Sequence, residues 1–134
     1  MPHFIVEYSA NIESELDLPE LLKVLNETAV STGVFPLGGI RSRAYRADSF
    51  RVAEGDPENG FIHLTVKVGS GRSMEILKQA GDTIFAAFTE RLQPVFDKRY
   101  LSIGFEMVEL HPTLNYKKII YTRSLKAWQS NTSL

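Results

Sequence analysis

Pro2, Arg41, Arg43 and Arg72 are the residues of this chain whose types could do chemistry together. Pro2 directly follows the initiator methionine, and a small penultimate residue invites removal of Met1. Proline would then be the chain terminus and would carry a free secondary amine on a rigid ring. An ordinary terminal amine titrates near about 7.7–8.0. Burial and neighbouring cations push such an amine lower, because both disfavour its protonated form. An amine neutral near pH 7 is a usable general base. Arg41 and Arg43 fall on one face of a strand by period-two alternation, which suits them to cradle a carboxylate-bearing ligand bidentately. Arg72 follows Gly69-Ser70-Gly71 at the point where a helix begins, and both its charge and the exposed helix N–H groups favour an anion. The bland reading of all four is a common proline at position 2 and solvated surface arginines. Two further arginines, Arg46 and Arg51, stand out with these, and on them the surface reading weighs most.

Other chemistries find less support. Gly69-Ser70-Gly71 lacks the Lys-Ser/Thr of a P-loop and the third glycine of a dinucleotide fingerprint. His3, His63 and His111 have no ligand spacing and no acidic partner set, so no metal site is expected. No serine sits in the context of a nucleophile elbow. With no Cys in 134 residues, disulfides, thiolate ligands and a cysteine nucleophile are excluded, and a reducing cytoplasmic setting fits. The net charge of −1 gives no bulk attraction to nucleic acid or anionic membrane. The N-terminus lacks the basic and apolar regions of a signal peptide, and no stretch is apolar for the roughly 18 residues a membrane span needs.

The positioning elements follow from the apolar periodicity. A strand is expected over His3–Ser9, a helix over Asp17–Thr32 capped by Asp17, and a second strand over Ile40–Ala47. A polar link from Asp48 to Gly60 leads to a third strand, Phe61–Gly69. A long helix comes next, with Ile76, Ala80, Ile84, Phe88, Leu92 and Phe96 at four-residue spacing. Pro94 should kink or shorten its last turns. A fourth strand is expected over Leu101–Glu109. The fold class is α/β (α+β): a duplicated β-α-β, with halves at about 2–47 and 61–109, forming a four-stranded mixed sheet with both helices on one face. Residues 1–117 make a single domain, and 118–134 a C-terminal tail of open structure. The uncovered sheet face should expose Tyr8, Phe4 or Ile5 with apolar residues of the third strand. A bare apolar face implies an oligomer. Phe4, Phe35 or Phe50 would wall the site from water.

Several stretches together resemble one family. They are Met1-Pro2-His3-Phe4-Ile5-Val6-Glu7-Tyr8-Ser9, Gly39-Ile40-Arg41-Ser42-Arg43, Gly71-Arg72-Ser73, Phe105-Glu106 and Glu109–Lys117. The combination is similar to the 5-carboxymethyl-2-hydroxymuconate isomerase family of the tautomerase superfamily, over about residues 2–117. The resemblance implies a cytoplasmic homotrimer that needs no cofactor and takes part in aromatic compound catabolism. It implies that Pro2 is the base and that Arg72 binds substrate. Arg41 would polarise a keto oxygen or bind a carboxylate, and Arg43 would be a further substrate-binding residue. The partner is then a small anionic substrate, with no nucleic acid and no membrane. The reaction would be a keto–enol proton transfer in an unsaturated dicarboxylate. The alternatives are a tautomerase of another 2-hydroxy or 2-keto acid, and a non-catalytic oligomeric binder of the same fold.

Overall fold

Strand β1 (His3–Ser9) turns Phe4, Val6 and Tyr8 to one side and His3, Ile5 and Glu7 to the other, the period of two that a pleated strand imposes. In the computed structural model, which describes residues 1–119, that strand lies inside a four-stranded sheet of order β2-β1-β3-β4. Strand β2 (Arg41–Ala47) pairs parallel with β1, β3 (Asn59–Val68) pairs antiparallel with β1, and β4 (Tyr100–Glu109) pairs parallel with β3. Each β-α-β half therefore supplies one parallel pair, and the two pairs meet antiparallel at the centre. The mixed sheet and the two helices are those expected. The sequence boundaries shift by one or two residues.

Helix α1 (Leu18–Ser31) begins where the Asp17 carboxylate accepts the Glu20 N–H at 3.2 Å, with Pro19 in its first turn. Its apolar stripe of Leu21, Leu25 and Ala29 is buried, and Gly33 follows its end with a φ of +75° that a side chain would resist. Replacing Asp17 with Ala removes only the cap, because the carboxylate is exposed. Asp17→Ala should cost about 1 kcal/mol of unfolding free energy in a urea titration, with the slope unchanged. Helix α2 (Met74–Phe96) starts where the Ser73 hydroxyl accepts the Ile76 N–H at 3.2 Å. It runs through Pro94 to Phe96. Proline in the last turn forfeits one backbone bond rather than a whole segment, so the helix stops two residues later instead of breaking earlier.

Both helices cover the same side of the sheet. Under them lie Phe4, Val6, Tyr8, Ile62, Leu64, Val66 and Val68, packed against Leu25, Ile84, Phe88 and Leu92. The expectation for the open side is corrected here. Phe4 and Tyr8 share their parity with Val6 and are buried beneath the helices, so they do not lie on the uncovered face. That face carries Ile5, Phe61 and Val108 interleaved with His3, Glu7, Arg43, His63, Lys67 and Glu106. It is mixed rather than bare and apolar. The alternation in β1 was legible, but which parity meets the helices is decided by packing. At the far end of the sheet, the Arg99 guanidinium grips the Glu15 carboxylate with two bonds, of 2.8 and 3.3 Å.

Candidate active site

Topology gathers the chemistry at one end of the sheet. β1 and β2 are parallel and both begin there; β3, antiparallel to β1, ends there, and so does its parallel partner β4. The register sets His3 beside Arg41 on one side and Lys67 on the other. Four connections therefore converge: the amino terminus, the entry to β2, the turn from β3 into α2, and the chain leaving β4.

Pro2 is buried, and its carbonyl accepts the Arg41 N–H at 3.0 Å. That bond extends the β1–β2 pairing and holds the terminus in place. The Arg41 side chain folds back over its own entry turn, donating to the Gly38 carbonyl at 2.8 Å and to the Ile40 carbonyl at 3.2 Å. Arg72 bridges two connections. It donates to Gly69 O and to Val34 O, both at 3.3 Å, and its guanidinium carbon stands 5.1 Å from the centre of the Phe35 ring. A cation over an aromatic face is attractive and orients the planar head. Gly71, with φ of +108°, makes the turn that presents Arg72 ahead of the helix. Arg72 also borders a cleft of about 610 Å³ with Thr32, Val34, Gln79 and Thr83.

The electrostatics at the terminus run in one direction. The amine of the encoded chain, on Met1, lies below its ordinary value of 8.0. Burial is the first cause, followed by the positive charges of Lys117, Arg72 and Arg41. Among the described residues no carboxylate pairs with Arg41, Arg72 or Lys117. Other arginines are engaged differently. Arg46 is ion-paired with Glu13 at 2.6 Å and Asp48 at 2.7 Å, and Arg51 donates to the Glu54 carbonyl at 2.8 Å. These two belong to the surface, as expected of them.

Arg43 shares the open sheet face with Arg41, as alternation requires, but the two do not form a free cradle. The Arg43 guanidinium donates to His3 Nδ1 at 3.1 Å. A guanidinium has no acceptor, so Nδ1 is unprotonated and the His3 ring carries its hydrogen on Nε2. Burial first, then Arg43, holds His3 below its ordinary value and keeps it neutral. Of the three phenylalanines considered as a wall, Phe35 lies beneath Arg72. Phe4 is wholly inside the core, and Phe50 packs edge-on against Phe61 with centroids 6.5 Å apart. Lys117 is the member of this group that sequence reasoning missed. Its signal was the position of Asn115-Tyr116-Lys117 at the end of a recognisable stretch after β4, which read instead as part of a basic tail.

A sequence model described as 5-carboxymethyl-2-hydroxymuconate isomerase matches residues 2–123, most of the chain and all of the converging segments. The chain belongs to the 5-carboxymethyl-2-hydroxymuconate isomerase family. It is 46% identical over 118 residues to the 5-carboxymethyl-2-hydroxymuconate Delta-isomerase of Escherichia coli, covering 88% of this chain and 94% of that protein. A crystal structure of a 5-carboxymethyl-2-hydroxymuconate isomerase from Deinococcus radiodurans R1 superposes with a TM-score of 0.82 at 37% identity, over 87% of this chain and 88% of that one. More distantly, a fused 4-OT described as a symmetric trimer shares the fold, with a TM-score of 0.61 at 16% identity over 87% and 93% of the two chains. A member of the 5-carboxymethyl-2-hydroxymuconate isomerase family is an enzyme, so the non-catalytic alternative falls away. Among the described residues no helix is long and apolar enough to cross a membrane.

Proposed function

We propose that this isomerase moves a proton within an unsaturated polycarboxylate of the 5-carboxymethyl-2-hydroxymuconate kind, with Pro2 as the base once Met1 has been removed. One observation carries the reading: a buried Pro2 at a terminus whose amine feels the cations Lys117, Arg72 and Arg41, with no carboxylate paired to them among the described residues. Such a place suits an anionic ligand and an uncharged amine at once. The neutral Pro2 nitrogen takes the hydroxyl proton of the dienol, leaving a dienolate. Arg72 and Arg41 stabilise the negative charge as it spreads toward oxygen. The prolinium then returns the same proton to a carbon of the conjugated chain, which gives the keto isomer. The proton count is unchanged, and no cofactor enters. Phe35, under Arg72, supplies an apolar floor. Arg43 acts less directly, by holding His3 neutral beside the base.

The working form is proposed to be a homotrimer. The fold relatives described as symmetric trimers support this. So does the apolar groove of about 650 Å³ between α2 and the edge strand β4, lined in part by Leu77, Phe85, Phe105 and Met107.

The test pairs intact mass with a spectroscopic assay of dienol loss. The purified chain should be lighter by one methionine and should consume the polycarboxylate dienol. Its kcat/KM should rise with pH through the amine titration and then level off. Protonation removes the base, so activity falls on the acid side. The burial and cations that hold the Met1 amine below 8.0 should act on a free Pro2 nitrogen too, so the plateau should begin at a lower pH than an ordinary chain terminus would allow. A retained methionine in a fully active preparation would rule out Pro2 as the base.

A further inference from the structure

The connection between α1 and β2 carries partners of both Arg72 and Arg41. Its first residues hold Arg72. The Val34 carbonyl accepts an N–H from that guanidinium at 3.3 Å, and the Phe35 ring lies under it, 5.1 Å from ring centre to guanidinium carbon. Its last residues hold Arg41, through the Gly38 and Ile40 carbonyls at 2.8 and 3.2 Å. The connection is itself pinned. The Val34 N–H donates to the Thr32 hydroxyl at 3.3 Å, and the Gly39 N–H closes a turn on the Pro36 carbonyl at 3.0 Å. Phe35 is buried in the core, and Pro36 after it restricts it to extended backbone. A ring packed this closely is a fixed surface for whatever lies over it.

We propose that Phe35 is a positioning residue of the site: its ring holds the Arg72 guanidinium in place and so aims the N–H donors that meet the substrate. The inference rests on the reading of Arg72 as a substrate-binding cation, and it deepens that reading by naming what aims it. The two hydrogen bonds Arg72 makes, to Gly69 O and Val34 O, are both 3.3 Å long. That is beyond the usual range of about 2.7–3.2 Å, and carbonyl oxygens accept over a broad spread of directions, so these bonds alone hold the head loosely. Among the described residues no carboxylate pairs with Arg72, and no stronger partner competes with the ring. A cation within about 6 Å of an aromatic face is drawn to it, more so where water is excluded. Phe35 fills one side of the guanidinium. A ligand oxygen is then met at the edge of the fork, where the remaining N–H groups point and where paired bonds to a carboxylate form.

The experiment is a double-mutant cycle of Phe35→Leu with Arg72→Ala, read on turnover and on thermal unfolding. On the polycarboxylate dienol, Phe35→Leu should lower kcat/KM about ten-fold in the parent, mainly by raising KM, and should change little once Arg72 is alanine. The acid limb of its pH profile should stay in place, because Arg72 keeps its charge. Leucine also alters packing, so a second series keeps the shape of the ring: phenylalanines at position 35 carrying one, two or three fluorines, whose poorer faces attract a cation less. kcat/KM should fall stepwise along that series. Equal losses from Phe35→Leu in both backgrounds, or a flat fluorine series, would overturn the positioning role. Coupling seen in unfolding but absent from turnover would overturn it too, since the contact would then serve the fold alone. If the parent leaves the dienol unconsumed, or Arg72→Ala turns over like the parent, the reading of the site falls and the role of Phe35 falls with it. A large loss in Arg72→Ala beside a harmless Phe35→Leu removes Phe35 only.

Discussion

Pro2→Ala should lower kcat/KM on the polycarboxylate dienol by about 10²–10⁴-fold, the range that a positioned general base supplies. The substitution keeps a small second residue, so methionine removal still occurs and a primary amine remains. What changes is the nitrogen. The ring amine of proline has its lone pair fixed by the buried ring and by the bond from the Arg41 N–H to the Pro2 carbonyl at 3.0 Å. An alanine amine rotates freely about its Cα and samples orientations that miss the substrate hydroxyl. The fold should barely notice, because the carbonyl that pairs with Arg41 belongs to the backbone and is kept. Thermal unfolding of Pro2→Ala should therefore match that of the parent while turnover collapses. Parent-like kcat/KM in this variant, with its mass showing a free alanine terminus, would remove Pro2 from the mechanism.

Arg72→Ala should cost about 10²–10³-fold in kcat/KM, comparable to the loss of one electrostatic donor aimed at a developing oxyanion. Two effects act in the same direction. The charge that would stabilise the dienolate disappears, and a cation that holds the amine below its ordinary value disappears with it. The acid limb of the pH profile should therefore move to higher pH, so the loss is greatest below neutrality. A structural cost accompanies this. The Gly69 and Val34 carbonyls lose their guanidinium partner, and Phe35 loses the cation above its ring. Arg72→Lys separates the contributions. It retains the positive charge but cannot span both carbonyls as the planar fork does. Its pH profile should stay near that of the parent while KM rises. If Arg72→Ala leaves both kcat/KM and the acid limb in place, Arg72 serves only to join its two turns.

The arginines show how far residue type carries an argument. Arg41, Arg43, Arg46, Arg51 and Arg72 carry the same group, yet their surroundings divide them. Arg46 meets Glu13, from the connection after β1, a partner 33 residues away in the chain. Arg43 meets His3 across a strand pair, 40 residues away. Arg72 finds Phe35 and Val34 on the connection between α1 and β2. None of these partnerships has a local signature, because each depends on two elements that touch only after the sheet has formed. Arg41 is the exception: its carbonyl partners lie within three residues.

The elements themselves were local and therefore legible. The cap at Asp17, four-residue spacing in α2, and alternation in the strands are short-range consequences of backbone geometry, and they appear in the structure within a residue or two of where the sequence puts them. Pairing of the two halves through β1 and β3 was not local. It buried Phe4 and Tyr8, left a mixed open face, and brought the amino terminus, Arg41, the Arg72 turn and Lys117 to one end. The chain alone thus determined which segments would be strand or helix and which side chains could act as base or cation. Only the tertiary structure decided which of those cations stand at the amine, because a charge acts through distance in space, and that distance is set by sheet order and register.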